Sequence, residues 1–192
     1  MNFLTIISVR AFSTCLLAFL LVAKTTFAAD WPIWGGNGSR NMVSFEKGIN
    51  LDFDPGRMDE DEVVDMKTTK NIKWIAKLGS QAYGNVTVAD GRVYAGTNNE
   101  SPRDPTKKGD RGIVMCFDEK TGKLNWQLVI PKLGAGKVSD WEYIGICSSP
   151  AIEGNRAYIV TNKCEVVCVD VEGLKNGNEG PFKSEAKYVN PK

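Results

Sequence analysis

The sequence predicts an all-β protein built from short antiparallel strands. Short apolar stretches alternate with turns rich in Gly, Asp and Asn along most of the chain, a pattern typical of strands and hairpins. A segment that starts at Gly84 recurs without a gap from Ser148 onward. The composition is that of a globular protein, because 42% of the 192 residues are hydrophobic and 24% are charged.

Residues 1–28 are expected to be a signal peptide. They hold two basic residues, no acidic residue, an apolar run over 11–23, and small residues at Thr26 and Ala28 that suit cleavage. A membrane anchor is the alternative, but the run is shorter than the roughly 20 residues that span a bilayer. Cleavage after Ala28 leaves 22 basic and 23 acidic residues, so no basic surface for nucleic acid is expected. We therefore expect a periplasmic or secreted protein with no membrane span after cleavage.

Residues 29–71 are expected to form an irregular lead-in. The segment starts with the aromatic, turn-rich stretch Trp31-Pro32-Ile33-Trp34-Gly35-Gly36 and continues through acidic turns. It lacks sustained alternation of apolar and polar residues, so an extended chain with one short strand is predicted. The acidic run 59–62 lacks the spacing and the Gly of a calcium loop and is interpreted as a solvated surface.

Residues 72–131 predict one four-stranded sheet. Strands over 85–88 and 93–97 flank the hairpin dipeptide Asp90-Gly91. A third strand over 113–117 is continuously apolar, which predicts burial on both faces, and a fourth covers 123–130. A meander of four antiparallel strands is one blade of a β-propeller. The polar loop 99–112 is interpreted as a solvated insertion, and the lining of a site is the alternative.

Residues 132–192 are expected to hold a partial second blade and an irregular tail. Gly154-Asn155 stands at the bend that Asp90-Gly91 takes in the first copy, and residues 166–170 match 114–118. A sandwich with an accidental repeat is the alternative. The residues that coincide in the two copies are Arg92 and Arg156, Tyr94 and Tyr158, Thr97 and Thr161, and Asn98 and Asn162.

Catalysis that depends on histidine is excluded, because the chain contains no His. Four cysteines follow Ala28 and allow three full disulfide pairings. The hairpin about Gly154 sets Cys147 within two residues of Cys164 across the sheet, which makes these two the candidate disulfide. Cys116 and Cys168 are expected on equivalent strands of neighbouring sheets, roughly 10 Å apart. The rings of Trp74, Trp126 and Trp141 are expected to pack between sheets.

The turn after the third strand carries a specific motif. The stretch Cys116-Phe117-Asp118-Glu119-Lys120-Thr121-Gly122-Lys123-Leu124-Asn125-Trp126 resembles the tryptophan-docking motif of pyrroloquinoline-quinone-type (PQQ-like) β-propellers. The residues that define this motif here are Asp118, Thr121, Gly122 and Trp126. Asp118 accepts backbone N–H bonds across the turn, Gly122 permits a left-handed bend and Trp126 packs between blades. The second copy has Asp170-Val171-Glu172-Gly173-Leu174 in place of Asp-x-x-Thr-Gly.

The resemblance covers about residues 30–180 and implies a bacterial propeller of about eight blades. This chain would hold about two of them and would be an N-terminal fragment. The family includes non-catalytic exported propellers with protein partners in the cell envelope. It also includes quinoprotein oxidoreductases for alcohols or sugars, which use pyrroloquinoline quinone with calcium and have vicinal cysteines in their sites.

No catalytic or metal-binding residue is assigned on this resemblance. The chain has no vicinal cysteines and no carboxylates at a recognisable metal-ligand spacing, so cofactor binding stays open. A ligand- or protein-binding scaffold is preferred. The alternatives are an oxidoreductase with its site in missing blades and a fragment without a function of its own.

Overall fold

The computed structural model describes residues 29–134 and 141–173. These residues form antiparallel sheets of two, four and three strands, and no α-helix occurs among them. The expectation of an all-β chain is confirmed. The expected signal peptide and most of the tail lie outside the described residues. Within the described ranges, no segment has the helical length and hydropathy of a membrane span.

The lead-in contains a small two-stranded ribbon where the sequence predicted one short strand. Strand β1 (Arg57–Met58) pairs with β2 (Val64–Asp65), and a single 3₁₀ turn follows over Met66–Thr68. The Asp59 carboxylate closes the loop by accepting N–H bonds from Asp61 at 3.0 Å and Val63 at 2.8 Å. Backbone bonds from the N–H of Asp59 to Val63 and from the N–H of Glu62 to Asp59 close the same turn. Strands this short cannot show alternation in the sequence.

The first large sheet contains β3 (Thr87–Ala89), β4 (Arg92–Asn98), β5 (Arg111–Asp118) and β6 (Leu124–Pro131), paired in that order. All four lie close to the predicted strands. Asp90 and Gly91 both have positive φ, 49° and 73°, as the tight hairpin requires. Strand β5 is buried on both faces, because Ile113 to Cys116 are all 1% exposed or less.

The second large sheet contains β7 (Ala151–Glu153), β8 (Arg156–Val160) and β9 (Val166–Asp170), again paired in order. Ile152 lies opposite Ala157, which is the register that the hairpin prediction required. Tyr158 lies opposite Cys168 just as Tyr94 lies opposite Cys116. The repeated sequence therefore occupies equivalent strands in the two sheets.

The sheets are stacked in layers with β5 near the middle. One face of the first sheet packs against the second sheet, and its core residues are Tyr94, Val114, Cys116, Ile130, Ile146, Ala157, Ile159 and Val171. On the other face, Ile113, Met115 and Phe117 contact residues 73–79, here called the Trp74 segment. This segment alternates like a strand, with Trp74, Ala76 and Leu78 turned inward.

Candidate functional site

The turn between β5 and β6 is organised by the carboxylate of Asp118. Its Oδ1 accepts the N–H of Thr121 at 2.8 Å and the hydroxyl of Thr121 at 2.7 Å. Hydrogen bonds from the Thr121 hydroxyl and N–H lower the pKa of the Asp118 carboxyl. Gly122 has φ of 69°, a left-handed conformation that glycine adopts without a Cβ clash. The turn thus presents a flat, side-chain-free surface at Gly122.

The Trp126 side chain joins the first sheet to the second. Its Nε1 donates to the carbonyl oxygen of Val171 at 2.8 Å. Its ring lies against Gly173, where an added Cβ would stand 2.8 Å from the ring. The Tyr94 ring lies beside it, with the centroids 6.1 Å apart. Trp126 is therefore held by packing and by a hydrogen bond to the turn that follows β9.

Trp74 makes the same contacts one unit earlier in the chain. Its Nε1 donates to the carbonyl oxygen of Glu119 at 2.8 Å. A Cβ added at Gly122 would stand only 2.5 Å from its ring. The interval from Trp74 to Trp126 along the chain equals the interval from Asp118 to Asp170. This shared spacing is the sequence signal that identifies the role of Trp74, which the docking motif alone did not reveal.

The turn after β9 performs the docking role despite its divergent sequence. Asp170 accepts the N–H of Glu172 at 2.8 Å through its side chain and the N–H of Gly173 at 3.0 Å through its carbonyl. Gly173 has φ of 65°. The turn is one residue shorter between Asp and Gly than the turn after β5, yet it also offers a glycine to the indole ring.

The repeated asparagines fix the ends of the outer strands. The Asn98 side chain is fully buried, and its Oδ1 accepts the N–H of Ser80 at 3.1 Å, just beyond the Trp74 segment. Thr97 Oγ1 accepts the N–H of Gly79 at 2.9 Å. In the second copy, Asn162 Nδ2 donates to the carbonyl of Pro131, the last residue of β6, at 3.1 Å. Asn98 and Asn162 thus hold the C-terminal ends of the Trp74 segment and of β6, the first by accepting a backbone N–H and the second by donating to a backbone carbonyl.

The loop between β4 and β5 is tied to its own backbone. The buried Asn99 amide donates to the carbonyls of Lys107 at 2.6 Å and Gly109 at 3.0 Å. Asp104 accepts the N–H of Thr106 at 2.9 Å. These bonds hold a polar surface loop, as expected for an insertion.

A shallow cleft of about 470 Å³ lies between the start of the lead-in and the second sheet. The N–H of Ile152 donates to the carbonyl of Pro32 at 2.8 Å and fixes its floor. Its lining is mostly apolar, with Pro32, Ile33, Ala151, Ile152 and Tyr158, and it also includes Asn37 and Glu153. The cleft is open to solvent.

Within the described residues, no group of three acidic or cysteine side chains is placed to hold a metal ion. Trp141 does not pack between sheets, contrary to the expectation from its sequence context, because the residue is 61% exposed.

The cysteines occupy two kinds of environment. Cys116 is buried in the core, and burial raises the pKa of its thiol to about 11. Cys164 is exposed in the turn between β8 and β9. The Ser148 hydroxyl donates to the carbonyl of Val160 at 2.8 Å, which holds the chain next to Cys147 beside the end of β8. The disulfide between Cys147 and Cys164 stays a prediction.

We expect Cys116 to react with a maleimide at pH 8 more slowly than Cys164 or Cys168, because it is buried whereas they are exposed, and because burial raises the pKa of its thiol and the thiolate is the nucleophile. Pulsed labelling of the folded chain followed by peptide mass spectrometry measures the three rates. Labelling in denaturant is the control and should equalise them. Similar rates in the folded chain would show that β5 is not a stable core strand.

No family model matches the sequence, and no curated protein matches it either.

Proposed function

We propose that the chain is the N-terminal part of an exported PQQ-like β-propeller that acts as a non-catalytic binding scaffold. The main support for a propeller fold is that Trp74 and Trp126 dock in the same way on consecutive turns. Each indole binds a backbone carbonyl 45 residues further along the chain. A contact that repeats with the same sequence separation is expected from stacked, equivalent units.

The stacking of the sheets also supports the interpretation of each large sheet as a propeller blade. Strand β5 is covered on one face by the Trp74 segment and on the other by the second sheet. The four-stranded sheet therefore buries both of its faces on its neighbours, as blades do around a central axis. On this proposal strands β3 to β6 and strands β7 to β9 belong to consecutive blades, and the Trp74 segment belongs to the unit before them.

The apolar cleft supports the binding role. It is bounded by β7, the first strand of the second sheet, and by the lead-in, which also bridges β3 through Trp31 and Val88. First strands lie nearest the axis of a propeller, so the cleft would open toward the channel. Its lining of aliphatic and aromatic side chains beside one carboxylate favours an apolar ligand or peptide segment with a basic group.

Filling the cleft tests this role. The full chain is titrated with the uncharged apolar fluorophore Nile red, alongside the variants Ala151→Leu and Ala82→Leu. Ala151 lines the cleft, whereas Ala82 is an exposed residue outside it, so the two variants add the same bulk at different places. We expect Ala151→Leu to reduce the fluorescence gain at least threefold and Ala82→Leu to leave it unchanged. Equal gains in all three chains would show that the cleft binds no apolar group.

Export is tested separately by N-terminal sequencing. The full chain, with residues 1–28 intact, is produced in a Gram-negative host, and the periplasmic fraction is collected. Apolar residues 11–23 and the small residue Ala28 predict a new N-terminus close to Ala29. Material in that fraction that retains Met1 would contradict export by a cleaved signal peptide.

A further inference from the structure

A tight turn near the start of the lead-in brings an asparagine–glycine pair into the lining of the cleft. The N–H of Arg40 donates to the carbonyl of Asn37 at 3.0 Å and closes the turn. Asn37 and Gly38 both line the cleft, and both are exposed to solvent. The same lining contains the carboxylate of Glu153. A change of charge at Asn37 would therefore alter the electrostatics of the cleft.

The Asn37 side chain is folded back onto the backbone that follows it. Its Oδ1 accepts the N–H of Ser39 at 2.9 Å and the hydroxyl of Ser39 at 2.6 Å. The ring that the first of these bonds closes contains both the side-chain Cγ of Asn37 and the peptide nitrogen of Gly38. These are the two atoms that join when an asparagine cyclises to a succinimide, and holding them together favours that reaction.

The peptide nitrogen of Gly38 is placed to act as the nucleophile. Its N–H donates to no group in the part of the chain that the structure describes. A Cβ built at Gly38 would have no atom within 4 Å beyond its chain neighbours, so the space around this peptide is open. Because glycine has no Cβ, its backbone turns toward the side chain of Asn37 with little steric hindrance.

The two donors on Oδ1 make the Asn37 amide a better electrophile. Negative charge develops on Oδ1 when a nitrogen attacks Cγ, and the N–H and hydroxyl of Ser39 already donate to this oxygen. Donors that are in place where charge develops stabilise the transition state. The turn therefore holds an electrophile, a nucleophile and oxyanion donors on three consecutive residues.

We propose that Asn37 is a self-modifying site, which converts to aspartate or isoaspartate without an enzyme and adds a negative charge to the cleft. The deprotonated nitrogen of Gly38 attacks Cγ and closes a cyclic imide. The side-chain nitrogen takes up a proton and leaves as ammonia. Water then opens the ring: cleavage of the bond between Cγ and nitrogen gives aspartate, and cleavage at the backbone carbonyl gives isoaspartate. The net reaction consumes one water and releases one ammonia.

The new carboxylate changes which ligands the cleft favours. The lining holds one carboxylate, that of Glu153, before the conversion and two afterwards. A second negative charge favours a cationic ligand over a neutral ligand of the same shape. This consequence rests on the proposed binding role of the cleft, whereas the conversion of Asn37 does not.

Ageing of the full chain at pH 8, followed by peptide mass spectrometry, tests the conversion. Asn50 is the internal control, because it is exposed and its Oδ1 accepts the N–H of Asp52 at 2.9 Å, but Leu51 follows it. We expect Asn37 to convert at least about tenfold faster than Asn50, since a Cβ hinders the approach of the nitrogen. The pair at 176–177 lies outside the described residues and is scored on its own peptide.

Gly38→Ala is the matched variant. Gly38 is not left-handed and a Cβ there has open space, so the fold should tolerate the methyl group, which circular dichroism checks before ageing. We expect the conversion of Asn37 to slow at least about tenfold in this chain. An unchanged rate in folded Gly38→Ala, or equal rates at Asn37 and Asn50 in the parent, would overturn the proposal. A rate that does not rise between pH 6 and pH 8 would contradict attack by a deprotonated nitrogen.

Asn37→Asp supplies the converted side chain at once and tests its effect on the cleft. The variant is titrated with Nile red and with its cationic analogue Nile blue, beside the parent and Asn50→Asp, which adds the same charge outside the cleft lining. We expect only Asn37→Asp to raise the affinity for Nile blue, by at least about twofold, and the affinity for Nile red to stay unchanged. Equal affinities for Nile blue in the three chains would overturn the effect on the cleft. Absence of binding of either dye would refute the binding role and leave the mass spectrometry result standing.

Discussion

Replacing Trp126 by Ala is expected to lower the free energy of unfolding by about 3–5 kcal/mol. The ring bridges two sheets: it packs on Gly173 and Tyr94, and its Nε1 donates to Val171. Truncation leaves a cavity between the layers and an unpaired carbonyl, and both effects are destabilising. Denaturant unfolding of the full chain, followed by circular dichroism, measures the loss. The parent and the variant are compared at equal protein concentration, because association adds to apparent stability.

Trp141→Ala is the matched control for this change. Its ring is 61% exposed, so removal of the same side chain should change the free energy of unfolding by no more than about 0.5 kcal/mol. A loss below about 1 kcal/mol for Trp126→Ala would mean that the indole is not a structural link between the sheets. That result would also remove the main support for consecutive blades.

Gly122→Ala is expected to cost about 2–4 kcal/mol, the second largest effect. The left-handed backbone at φ of 69° is strained for any residue with a Cβ, at about 1 kcal/mol. The added methyl would also stand 2.5 Å from the Trp74 ring, and relief of such overpacking costs about 1–3 kcal/mol. The Trp74 segment is expected to shift away from the first sheet. Denaturant unfolding measures the loss, and indole fluorescence reports the displaced ring.

Gly91→Ala separates these two contributions. Gly91 has a similar φ of 73°, but an added Cβ would have no atom within 4 Å. We expect this variant to lose only about 1 kcal/mol, because backbone strain acts alone. Equal losses at Gly91 and Gly122 would show that docking of Trp74 on the turn contributes nothing to stability.

The first sheet could be predicted from sequence because its determinants are local. Asp90-Gly91 specifies a hairpin, and Asp118 with Thr121 builds the next turn from residues three apart. The burial of 113–117 follows from an unbroken apolar run. The ribbon of β1 and β2 could not be predicted, since each strand has only two residues and the turn between them lies in an acidic run that composition marks as solvated.

The sequence predicted that tryptophan rings pack between units, but it did not predict which residues each ring contacts. The motif around Asp118 indicates that a tryptophan packs between units, but it does not show which glycine receives each ring. The partners of Trp74 and Trp126 lie 45 residues away along the chain, beyond the reach of periodicity or turn chemistry. The cleft was missed for the same reason, because its walls come from Pro32 and from Tyr158. The prediction for Trp141 was wrong because a large aromatic residue is not always buried.

The forward direction of both indole contacts has a consequence for the order of events during synthesis. Trp74 meets its carbonyl only after Glu119 has been made, and Trp126 must wait for Val171, in each case 45 residues later. At roughly 5–20 residues per second, each delay lasts roughly 2–9 s. Each unit therefore leaves the ribosome with its apolar ring uncovered until its successor arrives. The nascent chain gives chaperones a window of seconds at every repeat.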